Sequence, residues 1–174
     1  DEIVVVDSDP AAVDRARACG CIILEADATR DEALASARVA DAGALVVSAG
    51  RDDTSILITL TARHLAPGLP ITTVVRNGDN ELPARAAGAT TVINPVSFAG
   101  LMLANACAGA HLSEYLHDLA SVHGRVALRE RPVAADEIGK LLTAIATGLG
   151  VRLYRHGEPH SFAEPAATAL EAGD

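Results

Sequence analysis

The feature that most constrains this chain is an alternation in its first hundred residues. Short runs, apolar and mostly β-branched, recur at residues 2–6 (EIVVV), 21–24 (CIIL), 44–50 (ALVVSAG), 71–75 (ITTVV) and 90–94 (TTVIN). Between them lie stretches with helix signals. Nearly all-apolar runs suit strands buried on both faces of a parallel sheet. Parallel neighbours need long crossovers, and helices supply them. The pattern therefore predicts an α/β fold with a doubly wound parallel sheet, Rossmann-like in architecture.

The helix signals are specific. Asp9 offers an N-cap and Pro10 a first helical residue; Val13, Ala16 and Arg17 continue the helix, and Gly20 ends it. Thr29 or Asp31 caps a short helix. Residues 52–65 form a longer one, with Ile56, Leu60 and Arg63–His64 at helical spacing, broken by Pro67 and Gly68. A helix over 79–87 stops at Gly88. Pro95 opens an alanine-rich helical stretch bent near Gly109.

The character changes after Ser121. Residues 125–130 (RVALRE) alternate like a half-exposed strand, and 131–142 suggest a strand end and a short helix. Residues 150–162 read as a hairpin around His156–Gly157, and 170–174 as a turn. This places a boundary at residue 122: a Rossmann-like nucleotide-binding domain over 1–121 and a small C-terminal α+β lobe over 122–174. A lobe that short makes a poor core by itself.

Composition excludes several functions. With 14 basic and 23 acidic residues the net charge is −9, which argues against nucleic acid and anionic lipid. Aromatics are only 2%, so Val, Ile, Leu and Ala must fill the core. Cys19 and Cys21 are too close for ordinary disulfide geometry and Cys107 is distant, so all three are expected as reduced, buried thiols in a cytosolic protein. No Cys-x-x-Cys is present and the six histidines are scattered, so no metal site is expected. No apolar run approaches the roughly 20 residues of a membrane-spanning helix, and no signal peptide is visible.

Four stretches carry a resemblance: VVVDSDP, EADATRDEAL, LVVSAGRDDTSILITLTARHL and RAAGATTVINPVSFAGLMLANA. In this order and spacing they resemble the regulator-of-potassium-conductance (RCK) domain. That domain is the cytosolic nucleotide-binding module of bacterial potassium channels and TrkA-type uptake systems. The match covers residues 1 to about 121, and the tail is similar, more weakly, to the C-terminal part of bacterial potassium-channel proteins. The family begins with a strand and a Gly-x-Gly-x-x-Gly turn, whereas this sequence starts after them. That first β–α unit is expected to belong to the natural protein, and a sheet formed without it to have an unfilled central position. Where the family usually has Gly-Asp-Ala-Thr, this chain has Ala26-Asp27-Ala28-Thr29. Some calcium-gated members place acids where this chain has Ser48, Val74 and Arg76, which disfavours that mode of gating.

The candidate site residues lie at the carboxyl ends of the predicted strands. Asp7 is the principal one: a carboxylate there can accept both hydroxyls of an adenosine ribose and repels a 2′-phosphate, so NADP should bind poorly. Ser8 is adjacent, and Asp9 is the structural cap. The resemblance implies that Asp27 and Ala28 lie beside an adenine; a turn-forming Asp27 is the alternative. Ser48, Ala49 and Gly50 are small enough to let a nucleotide approach the backbone, though any strand-to-helix turn favours them too. Arg51 reads as solvated surface. Arg76 bridges to a phosphate or a partner subunit, or forms a surface salt bridge. His111, His117 and His123 read as solvated helix histidines, since a spacing of six does not share a helix face.

The expected ligand is NAD(H) or an adenine nucleotide (AMP, ADP or ATP), without a catalytic residue. A Rossmann-type oxidoreductase or epimerase is the rival. Its frequent Tyr-x-x-x-Lys pair is missing here: the tyrosines are Tyr115 and Tyr154, and Lys140 is the sole lysine. The resemblance implies a ligand-sensing regulatory domain of a potassium channel, working as a homo-oligomer (a dimer or gating ring). It would act on a pore in the same or another chain, from the cytoplasmic face of the membrane. A free-standing TrkA-type uptake subunit is a further alternative. Leu101, Ala104, Ala108, Leu112, Tyr115, Leu116 and Leu119 form a candidate assembly face.

Overall fold

A computed structural model describes residues 2–121 and 124–174. His123 and the boundary expected at residue 122 lie outside the described residues. The chain divides into two compact units, residues 1–114 and 115–174.

The first unit opens with β1 (Val4–Asp7), and the helix α1 (Pro10–Ala18) follows as its caps dictate. The Asp9 side chain accepts the Ala11 N–H at 3.0 Å, and Pro10 takes the first helical position. At the other end Gly20 donates its N–H to the Arg17 carbonyl, and Cys21 donates to Ala16. This reciprocal C-terminal closure needs a left-handed residue, and Gly20 has φ +78°. The chain then enters β2 (Ile22–Glu25), which pairs parallel with β1, Val4 opposite Ile22 and Asp7 opposite Glu25.

A short helix α2 (Asp31–Ser36) leads on. Neither expected residue caps it: Arg30 holds the N-cap position without a side-chain bond, while Asp31 is already helical. Thr29 is not free to cap, because it is drawn into the Asp27 turn. A second parallel sheet has the order β3–β4–β5: β3 (Leu45–Val47), β4 (Ile71–Val74) and β5 (Thr91–Ile93). Its crossovers are α3 (Asp52–Leu65) and α4 (Glu81–Ala86), the latter preceded by a single 3₁₀ turn. The parallel strands thus form two ladders rather than one, and β1 is not hydrogen-bonded to β3.

The core lies where α2 and α3 cover one face of the second sheet. Leu34, Val39, Val47, Ile58, Ala62 and Ile71 are buried there. Each large aliphatic side chain so buried contributes about 1.5–3 kcal/mol. α3 turns in Ser55, Ile58, Thr59 and Ala62 rather than Leu60, which is 54% exposed. Small polar residues can face the sheet because they are paired: the Thr59 hydroxyl meets that of Thr73 on β4 at 2.7 Å and the Ser55 carbonyl at 2.8 Å. On the sheet's other face Val46 is 71% exposed, while Thr72 and Val74 of the central strand are partly covered. The apolar runs predicted strands covered on both faces, but the described helices cover this sheet on one.

Asn94 caps α5 (Pro95–Ala108), and the break expected near Gly109 separates it from α6 (Ala110–Ala120). α5 is apolar around much of its circumference, yet Phe98, Leu101 and Leu103 are exposed. The thiols are not buried: Cys19 sits at the exposed end of α1 and Cys107 on exposed α5, while Cys21 is partly covered.

The second unit holds a hairpin of β6 (Arg152–Arg155) and β7 (Glu158–Ser161). Its two-residue turn, His156 and Gly157, has φ +53° and +84°, the geometry whose twist suits adjoining strands. Leu142, Leu153, Ala167 and Leu170 make its core. The strand expected over 125–130 does not form. The Arg125 and Val126 N–H groups go instead to the Asp118 carboxylate. Nor does a helix form before Leu142: Glu137 binds Arg131 through both oxygens and accepts the Ala134 N–H, which fixes a turn.

Candidate functional site

The predicted site residues fall where chain direction puts them, at the carboxyl ends of β1 to β4. Asp7 ends β1 and is half-buried. Its Oδ1 accepts the Asp9 N–H at 2.9 Å, so one oxygen braces its own loop. The other oxygen has no hydrogen bond to a described residue and remains available to a diol. Ser8 is exposed beside it.

After β2, Asp27 is closed upon its own turn. Its Oδ1 accepts the Thr29 hydroxyl at 2.7 Å and the Thr29 N–H at 3.0 Å, and these bonds hold its carboxyl below the usual range. The structure thus gives Asp27 the turn-forming role; Ala28 packs against the core below.

The next two loops are joined. After β3, Ser48 and Gly50 are exposed and Ala49 is half-buried. Space beside Gly50 is open, with no heavy atom near a Cβ built there. Both backbone groups of Ala49 are occupied: its N–H reaches the buried Ser55 hydroxyl at 3.2 Å, and its carbonyl accepts Arg76 Nη1 at 2.8 Å. Arg76 reaches back from the end of β4, and no carboxylate pairs with it among the described residues. Arg51, by contrast, is occupied by Asp53 through two hydrogen bonds, which raise the guanidinium's pKa and lower the carboxylate's.

Asp52, which the sequence shows only as a helix-opening acid, ties these loops together. From the first turn of α3 its carboxylate accepts the N–H groups of Arg76 and Asn77 and the Asn80 side-chain amide, at 2.9–3.1 Å. These donors, Asn80 foremost, hold its pKa below the ordinary value. Ser55 was missed as well. A Ser four residues past the SAGR loop is the only signal that it turns back to that loop. His111 and His117 are exposed, and no group of three His, Cys, Asp or Glu among the described residues is placed to hold a metal.

Residues 1–95, more than half of the sequence, match the TrkA-N domain model. The chain belongs to the TrkA-N domain family. Two curated relatives of this TrkA-N chain come from Methanocaldococcus jannaschii. Potassium channel protein 1 is 25% identical over 98% of this chain and 54% of its own length. Probable potassium channel protein 2 is 29% identical over 52% of this chain and 26% of its own length. The chain thus spans about half or less of these relatives. Among solved structures, the TrkA-N domain of the Escherichia coli inner membrane protein ybaL superposes with a TM-score of 0.52 at 23% identity, over 57% of this chain and 75% of that one. The GsuK channel bound to NAD gives 0.51 at 21%, over 82% and 28%. The human SLO3 gating ring gives 0.57 at 17%, over 80% and 31%. These likenesses establish the fold, a Rossmann-like α/β unit with a parallel sheet and a small antiparallel lobe.

Proposed function

We propose that this chain is a ligand-sensing regulatory domain of a potassium channel, in which an adenine nucleotide or NAD(H) binds at the carboxyl edge of the parallel strands. The observation that carries the reading is the pair of ligand-ready groups at that edge. Asp7 has a carboxylate oxygen free for a ribose, and the Arg76 guanidinium has no carboxylate partner among the described residues. Ser48 and Gly50 leave the β3 loop open to a ligand. Support also comes from relatives named as potassium channels and from a fold shared with a channel bound to NAD.

In this reading residues 1–121 form the nucleotide domain and 122–174 the small lobe. The domain works as a homo-oligomer, a dimer or a gating ring, on the cytoplasmic side of a pore. No described helix is long and apolar enough to cross a membrane, so the pore is a segment outside these residues or another chain. Binding favours one geometry of the assembly, by differential affinity for its two states. The site acts as a sensor, with no catalytic residue.

The test is thermal shift of the full-length protein against NAD, NADH, NADP, AMP, ADP, ATP and calcium. Stabilisation by NAD-type or adenine nucleotides, weaker for NADP and lost in Asp7→Ala, is expected. Stabilisation by calcium alone, or an unchanged response in Asp7→Ala, contradicts the reading.

A further inference from the structure

Resting on that reading, we infer that Asp52 is the positioning residue for the nucleotide's phosphate, acting through Arg76. It holds the loop after β4 so that the Arg76 guanidinium lies across the loop after β3.

A guanidinium has five N–H donors. Arg76 gives one to the Ala49 carbonyl, and the other four have no described partner. They remain for a phosphate, which suits the planar fork. The side chain of an exposed arginine would ordinarily sample many rotamers. Here its backbone is fixed instead: the Arg76 N–H binds both Asp52 oxygens, at 3.0 and 3.1 Å. Asn77 N–H and the Asn80 amide fill the rest of that carboxylate at 2.9 Å each. The loop facing Arg76 is fixed as well, since Ser55, 0% exposed, holds the Ala49 N–H. One end of α3 thus sets both loops. No Asp52–guanidinium ion pair is present among the described residues, although the Arg76 charge helps to lower the Asp52 pKa.

The replacement Asp52→Asn is nearly isosteric but turns one acceptor into a donor aimed at other donors. The experiment is calorimetric titration of the full-length protein with ADP and with adenosine, which lacks phosphate. In Asp52→Asn the affinity for ADP should fall about tenfold, the scale of a lost charge-assisted contact, with adenosine affinity unchanged. In an Arg76→Ala background the same change should have no further effect on ADP. Equal losses for ADP and adenosine would show a merely structural role and overturn the inference, as would unchanged ADP affinity. Should Asp52→Asn fail to fold, Asn80→Ala removes one donor and is judged by the same ADP–adenosine difference. A wild-type chain that binds neither ligand overturns the nucleotide reading itself, and this inference with it. A wild type that binds both, with no difference in the variants, overturns the inference alone.

Discussion

Single residues carry much of the local order. Gly20 and Gly88 both hold left-handed backbone, but they differ in space. A Cβ on Gly20 meets nothing within 4 Å, whereas one on Gly88 lies 2.6 Å from Arg63 Cγ, under a guanidinium bonded to the Gly88 carbonyl. Gly20→Ala should cost about 1–2 kcal/mol, the left-handed penalty alone. Gly88→Ala should cost more, read from urea unfolding; equal losses would contradict the packing described. Glu137 predicts a pH effect. The Arg131 guanidinium, aided by the Ala134 N–H, lowers its carboxyl from 4.5 to about 2. A carboxylate depressed in the folded state adds stability that is complete above the unfolded value and lost as pH falls toward the folded one. Urea midpoints should therefore fall between about pH 4.5 and 2 less steeply in Glu137→Gln than in wild type. Parallel profiles would rule out this contribution. The residues legible in sequence were those whose role is local: Asp9 as cap, Gly20 as stop, the His156–Gly157 turn. Asp52 and Ser55 were not, because their partners lie in loops brought near only by the fold.

At the scale of elements, α3 decides how the second sheet is covered. Its span of 52–65 was legible, its close from the Pro67–Gly68 break that follows. Its buried face was not. Leu60 fits an apolar stripe but is exposed, whereas Ser55 and Thr59 face the core. Polar side chains are admitted there because two threonine hydroxyls on α3 and β4 satisfy each other. Thr59→Val should therefore destabilise by about 1–3 kcal/mol, since it leaves the Thr73 hydroxyl buried without its partner. Leu60→Ala should change stability by no more than about 0.5 kcal/mol. Denaturant titration reads both, and the reverse ranking would mean that α3 is rotated. The hydrogen bonds to Asp118 explain why the alternation at 125–130 misleads: period two suits a half-exposed strand, but a strand also needs an edge to pair with.

For the whole molecule, the alternation of runs and helices made the parallel α/β class legible, and the TrkA-N match agrees with it. The division of the sheet into two ladders, with β1 not hydrogen-bonded to β3, agrees with the unfilled central position that the resemblance implied. Much apolar surface stays exposed on the first unit, at Val46, Phe98, Leu101 and Leu103. A helix apolar around most of its circumference belongs in an interior or an interface. The proposed assembly accounts for α5 in this way. Gel filtration of the full-length protein with light scattering at micromolar concentration should show a dimer or larger species, and Leu101→Lys should reduce it; a monomer throughout contradicts the assembly. The nucleotide reading rests on Asp7 above all, and calorimetric titration of the full-length protein with NAD tests it most directly. Binding that Asp7→Ala weakens at least about tenfold, in a variant that still unfolds cooperatively, is the predicted result. Equal affinity in the two proteins, or no binding by either, would contradict it.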